Sequence, residues 1–545
     1  MSGSITVPGT GSTPNPISLK FTTPYNISLA DQIALALAEA AASHTLTVVN
    51  YTGGPSIPTL PPGSTEELVL SPTVSGSITV PAAASGVTEV LVITNSQPLT
   101  IHGTPGLEIL GGDKNLTIID PTVIDYADNG LTTNTDAVTV TSADSPYEVA
   151  MRAGSETVVG LGSGTIGGGV GANYINLSGA GVGTNNLVLS QGFHDRITAG
   201  GGSVTVDASG SHAIIQGGAG DLSIDDTGLA NTVWAAAGNA AVTTGGLDAL
   251  VLGSSGLLTV NAAGGVGDTV AFGPGGGLFY SSANSYDALV FAGAGDPVSV
   301  NASNTTNDTI VGDTGPLTVN AGNATSLLVW GPGSGPGMDF IGGSGGSGNT
   351  AATVVGQSGH DTIGAGTGPL YAWVGANETL QASSGGGNVT LFGGVNSDIT
   401  YTAASGSLLF VANSGNETLN AAGSSTNDVM WGGIDSTSGN SLVGGSGNDI
   451  MIAGTGADTF NTGAGNNEFV FIASVLGSSS QTDVLTNFLG GNDSVVLSGG
   501  LTTVSSSSGG TGPTAFTTLT LSDNTQVTFL GVSSASQLAG HIFSN

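Results

Sequence analysis

Apolar residues recur through the middle of this chain at a fixed interval. Val206, Ile224, Val242 and Val260 are each 18 residues apart. Tyr280, Val300, Val319 and Phe340 extend the phase at steps of 19 to 21, and Leu380, Tyr401 and Leu419 resume it. The surrounding words are related: VTVDA at 204–208, LTVNA at 258–262, VSVNA at 298–302, LTVNA at 317–321 and ETLNA at 417–421. A second series lies between them, including Ile214-Ile215, Val251-Leu252, Ile310-Val311 and Val429 to Trp431. Two short strands per period, with Gly and Asn at the corners, describe a narrow coil. One coil cannot bury its apolar residues alone, so stacked coils must share a core. With 93 glycines and many β-branched residues, a helical solenoid is excluded. The expected fold is all-β: an elongated parallel β-roll or β-solenoid, with a short helix-containing N-terminal segment and a β-rich C-terminal cap.

Half of the period appears openly near the C-terminal end. Three nine-residue units run without a gap: GGSGNDIMI at 444–452, AGTGADTFN at 453–461 and TGAGNNEFV at 462–470. Each has Gly at positions two and four, Asp or Asn at six, and a large apolar residue at eight. Glycine lets a turn expose its carbonyls, Asp adds a hard carboxylate, and the apolar residue opens an inward-pointing strand. Hard oxygen ligands in flexible turns suit Ca²⁺. These units resemble the repeats-in-toxin (RTX) nonapeptide of type I-secreted bacterial proteins. In such a roll, turns on one edge come from alternate nonapeptides. Asp449 and Asn467 then share one edge, and Asp458 faces Asn440 on the other. The expected calcium ligands are Asp449, Asp458, Asn467 and Asn440, with turn carbonyls at Gly445, Gly447, Gly454, Gly456, Gly463 and Gly465. GQSGHDTIG at 356–364 adds Asp361. Asp195, Asp268, Asp308 and Asp428 also precede apolar strands, but their glycines are incomplete, and they read as ordinary turn residues.

Charge narrows the partners. Lys20, Lys114, Arg152 and Arg196 are the only basic residues against 38 acidic ones, for a formal charge of −34. Nucleic acid and anionic lipid are approached with Lys and Arg, so neither is an expected partner. Roughly seventeen divalent ions would cancel that charge. There is no Cys, hence no disulfide. No apolar run reaches the length of a transmembrane helix, and the first residues lack the basic start and apolar centre of a cleaved signal peptide.

The organisation reads as three parts. Residues 1–65 hold an extended segment and a helix from Leu29 to Ser43, capped by Ser28, whose expected role is to cover the solenoid end. Residues 66–475 form the solenoid. Residues 476–545 form a β-rich cap in which 499–513 is a Ser/Gly loop. DVLTNFLGGNDSVVL at 483–497 and LTLSDNTQVTFLGV at 519–532 resemble the region that follows RTX repeats. That resemblance implies an uncleaved export signal read by a type I ABC secretion apparatus. SGSITVP occurs at both 2–8 and 75–81, which suggests a free N-terminal strand able to pair with another copy.

No HExxH, GxSxG elbow, phosphate loop or Cys nucleophile is present, so no enzyme is expected. His194-Asp195 and His360-Asp361 read as repeat-derived turn residues. Trp234, Trp330, Trp373 and Trp431 each end a strand, where packing into the roll is the expected fate. The expected function is a calcium-dependent, self-assembling structural protein that folds on Ca²⁺ binding after export. It would be secreted and act at the cell surface or in the extracellular (biofilm) matrix as a surface-layer or fibre subunit. The alternatives are a monomeric RTX adhesin or glycan-binding protein and, further off, a polysaccharide-modifying β-helix enzyme.

Overall fold

The structure is a computed structural model. It describes residues 3–8, 16–21, 23–53, 64–71, 73–80, 88–93, 97–103, 107–111, 116–120, 123–127, 136–141, 146–151, 154–262, 264–281, 285–343, 352–357, 359–433, 438–476, 481–488 and 492–545. The chain divides into two compact units, Met1–Gly275 and Gly276–Asn545. Each is a parallel β-solenoid in which consecutive strands alternate between two sheets.

In the first unit, sheet I runs from Leu46–Tyr51 to Leu258–Ala262, and sheet II from Gly76–Thr79 to Thr269–Ala271. The 18-residue column is real. Val188, Val206, Ile224, Val242 and Val260 are successive parallel partners on sheet I, all buried. A sheet II strand is often only three residues long, with the middle side chain inward and its neighbours outward, as in Ile214–Gln216. Such a three-residue strand buries one apolar side chain, worth about 1.5–3 kcal/mol, and only stacking makes that burial complete.

The N-terminal part departs from expectation. Gly3–Val7 pairs antiparallel with Ile17–Phe21, so the segment is a hairpin, not a free strand. The helix spans Pro24–Ala42. It starts earlier than Ser28 because Thr23 caps it, accepting the Asn26 N–H, and Pro24 fits the first turn. Nor does it cap an end. Leu29, Ala30, Ile33 and Leu37, with Ile5, Val7, Leu19 and Phe21, pack on Val69, Val90, Val92 and Leu110 of sheet I. That second layer explains why Glu66 to Leu70 is buried without alternation.

In the second unit, sheet I runs from Gly277–Ser281 through Ser441–Val443 and Thr459–Asn461 to Thr482–Thr486. Sheet II runs from Leu289–Phe291 through Ile450–Ile452 to Ile542–Ser544. The phase read from sequence slips here. Phe279, not Tyr280, is in register with Val300 and buried, while Tyr280 faces outward. Tyr401 pairs with Ala382, whereas Leu380 and Leu419 belong to the neighbouring inward column through Ile399. Pleat alternation, not residue count, decides which of two adjacent residues points in.

After Thr482–Thr486, the strand Gln526–Leu530 continues sheet I in parallel, then Phe516–Leu521 and Thr503–Gly509 add antiparallel strands. Thr503–Gly509 corrects the loop expected over 499–513. Its Ser-rich sequence is exposed on both faces, so it lacks the alternation that marks a strand.

Candidate metal centre

The corners are built by close approach of successive coils. Gly445, Gly447, Gly463 and Gly465 lie on the edge leading from sheet I to sheet II; Gly454 and Gly456 lie on the opposite edge. A Cβ on Gly447 would run into the Thr426 carbonyl oxygen one coil earlier, and one on Gly465 into the Gly447 oxygen. Gly465 also holds φ +97°, which side chains rarely adopt. Glycine is therefore required, and its consequence is a row of carbonyl oxygens stacked along each edge.

Beside each row runs a ladder of buried carboxylates and carboxamides. On the first edge, the Asp428 N–H donates to Asp449 Oδ1 (2.9 Å), the Asp449 N–H to Asn467 Oδ1 (2.8 Å), and the Asn467 N–H to Asp493 Oδ1 (2.9 Å). On the second, the Glu417 N–H donates to Asn440 Oδ1 (3.0 Å), the Asn440 N–H to Asp458 Oδ1 (2.9 Å), and the Asp458 N–H to Asp483 Oδ1 (2.9 Å). The structure thus brings Asp449 together with Asn467, and Asp458 with Asn440, as their spacing implied. Asp428, Asp483 and Asp493 extend the two ladders and were not foreseen as members. The interval lengthens to 25 residues before Asp483 and 26 before Asp493. Yet each still precedes an apolar strand (TDVL, NDSVV), a signal available in the sequence.

The second oxygens decide what the corners need. Asp449 Oδ2 accepts the Gly445 N–H (3.0 Å) and Asp458 Oδ2 the Gly454 N–H (2.8 Å). Asp428 Oδ2 and Asp493 Oδ2 are buried without a hydrogen-bond partner. Burial pushes the carboxyls of Asp449 and Asp458 up to about 6, and that of Asp483 up to about 8. No Lys or Arg occurs after Arg196, so no lysine or arginine of this unit can offset them. Buried carboxylates without a counter-charge are costly and take up protons or a cation. Carboxylate, carboxamide and carbonyl oxygens in Gly-rich turns fit Ca²⁺. Among the described residues, no three Asp, Glu or His side chains converge as a metal cage. The carbonyl rows must therefore supply much of any coordination shell.

The upstream corners are different. In the first unit, Asp195 Oδ1 accepts the Asn173 N–H, while Ser190 and the Gly192 N–H satisfy Oδ2. Asp268 accepts from the Ala249 N–H and the Thr244 hydroxyl. These carboxylates are fully partnered by the chain and act as turn fasteners. In the second unit, Asp308 accepts the Ala288 N–H in the same way. Asp361 does not sit in a corner. It points inward from the strand His360–Gly364, in register with Leu380. Its carboxyl lies within hydrogen-bonding reach of Glu378, whose own carboxyl is pushed up to about 8, by burial first and then by Asp361. The frame of GQSGHDTIG is thus offset from that of 444–470.

Fold and corners together define a parallel β-solenoid with calcium-type turns. Residues 436–469 match the family model of the RTX calcium-binding nonapeptide repeat, in four copies. That segment is a block of RTX calcium-binding nonapeptides, and Ca²⁺ is the ion such repeats bind. The match reaches one unit further upstream than GGSGNDIMI. The unit 435–443 (DSTSGNSLV) keeps Asn440 at position six and Leu442 at eight but lacks both glycines. No curated protein matches the chain.

Proposed function

We propose that this chain is a non-catalytic, calcium-dependent structural protein of the bacterial exterior. It is exported through a type I apparatus, folds as Ca²⁺ binds, and assembles with copies of itself at the cell surface or in the extracellular matrix. The observation that carries this reading is the pair of buried acidic ladders in a unit without a single Lys or Arg. RTX nonapeptides occur in proteins that are typically secreted, which supports an extracellular site of action. Calcium modules outside cells bind at about 10⁻⁴ to 10⁻³ M, far above cytosolic levels. The ion then adds its binding energy to folding only after export.

Sedimentation velocity of the purified full chain in chelator and in millimolar Ca²⁺ tests this reading. The expected result is an expanded monomer that compacts and then associates. A compact monomer in both conditions refutes calcium-driven folding and assembly. A compact, calcium-requiring monomer that captures polysaccharide favours the adhesin alternative.

A further inference from the structure

The two sheets of the second unit present opposite chemistry to the outside. On sheet I, outward positions are mostly short and polar: Ser299, Asn301, Thr318, Asn320, Gln381, Thr400 and Asn420. On sheet II, outward positions carry large apolar side chains rung after rung. Phe291, Trp330, Tyr371, Trp373, Leu409 and Ile450 are each 38–43% exposed. Trp373 and Phe392 stack at 4.9 Å with a 16° interplanar angle. This overturns the expectation that Trp330 and Trp373 fill the roll. They lie outward because pleat alternation gives the inward positions to their neighbours, Val329 in one strand and Leu370 and Ala372 in the other.

We infer that the outward face of sheet II in the second unit is a self-association surface that a second copy of this chain covers. This rests on the self-assembly reading above and gives it an interface.

Two observations select a second copy. The first is charge. Among the outward positions of its strands from Leu289–Phe291 to Glu468–Ile472, Glu468 is the only charged residue, in a molecule of net charge −34. Two such chains carry like net charge, and on this apolar face they can meet with almost no opposing carboxylates. A partner recognised by charge has nothing to grip, and an anionic lipid surface would meet no Lys or Arg.

The second is geometry. Ten rungs at ~4.8 Å make a strip ~43 Å long. The strands alone give on the order of 400 Å² of footprint, and flanking turns add to it. The strands thus supply about half of the ~800 Å² per partner of a standard interface, and the flanking turns must supply the rest. An identical face on the partner packs on it at ~10 Å, as two sheets of a sandwich do, and an isologous contact needs no second surface. Because Trp373 and Phe392 stack on one another, each ring has one face covered by the other.

The test compares wild type with the triple variant Trp330→Thr, Trp373→Thr, Phe392→Thr and with a polar-face control, Thr318→Ser. Threonine already occupies outward sheet II positions at Thr309 and Thr390. Sedimentation velocity across a hundredfold concentration range in millimolar Ca²⁺ is read beside circular dichroism and the calcium midpoint. The expected result is association of wild type and control, with the triple variant at least tenfold weaker at an unchanged calcium midpoint and β signal. If the triple variant unfolds, the single variant Trp330→Thr replaces it, with the same expectation at smaller size. Undiminished association of the folded variant overturns this interface while leaving self-assembly standing. A wild type that stays monomeric overturns both. Co-sedimentation of wild type with phosphatidylcholine vesicles, lost in the variant and without self-association, overturns the second copy as occupant.

Discussion

At the residue scale, the corner carboxylates do two things at once. Each Oδ1 ties the coil before it through a backbone N–H, and the charge awaits a cation. The two roles separate by substitution. Asp458→Ala leaves the Asn440 and Gly454 N–H groups without acceptors. A buried unsatisfied donor costs about 1–3 kcal/mol, so thermal melting should drop with or without calcium. Asp458→Asn keeps an acceptor but removes the charge. It should leave the calcium-free protein at least as stable while raising the calcium midpoint about tenfold, equal to ~1.4 kcal/mol. Equal midpoints would show that Asp458 is only a fastener. The close approach at Gly447 gives a second prediction. Gly447→Ala should destabilise by about 1–3 kcal/mol through overpacking, whereas Gly181→Ala, with nothing within 4 Å, should stay within ~0.5 kcal/mol. Melts at saturating calcium compare the two.

The same residues set the pH response. The folded, calcium-free carboxyls of Asp449 and Asp458 sit near 6, Glu417 near 7 and Asp483 near 8, all above the ordinary carboxyl values of 3.8 and 4.5. The folded state therefore holds protons more tightly than the unfolded chain. Stability is fully present below the ordinary carboxyl range and is lost as pH rises through 6 to 8. Melts in chelator should fall steadily from pH 5 to pH 8. In millimolar Ca²⁺ the fall should vanish, and calcium binding near pH 6–7 should release protons, measurable in buffers of different ionisation enthalpy. A calcium-free melt that rises over this window would contradict the burial of the ladders.

At the element scale, what could be read from the chain depends on whether a signal is local. The nonapeptides were legible down to which Asp faces which Asn, since Gly, Asp and one apolar residue at fixed spacing describe a corner by themselves. So was the inward column Val206 to Val260. The slip at Tyr280 was not legible, because Phe279 and Tyr280 are both large and apolar and only pleat register separates them. Asp483 and Asp493 were hidden because the intervals before them, 25 and 26 residues, break the 18-residue step. The hairpin and helix were misjudged as free strand and end cap because their partner is the flank of sheet I, a contact no local pattern announces. That layer gives its own prediction. Phe21 is fully buried between hairpin and helix, and Phe21→Ala should cost about 3–5 kcal/mol locally. Limited proteolysis should then cut before residue 23 much faster, with the calcium midpoint unchanged. Unaltered cleavage would mean the hairpin is held elsewhere.

At the scale of the whole molecule, stability and charge are linked through one ion. A chain of −34 with its basic residues confined to the first 196 positions cannot neutralise the second unit internally. On the proposed function its corners close fully at neutral pH only with cations, while the first unit satisfies Asp195 and Asp268 with its own hydroxyls and amides. Calcium dependence should accordingly be graded along the chain, and hydrogen exchange read by mass spectrometry on the intact protein measures it most directly. The account predicts that at neutral pH in chelator, amides of residues 440–470 exchange fast while those of 200–260 stay protected. It predicts that the former become protected with a midpoint of about 10⁻⁴ to 10⁻³ M Ca²⁺. Full protection of residues 440–470 without calcium, unchanged on adding it, would contradict the account.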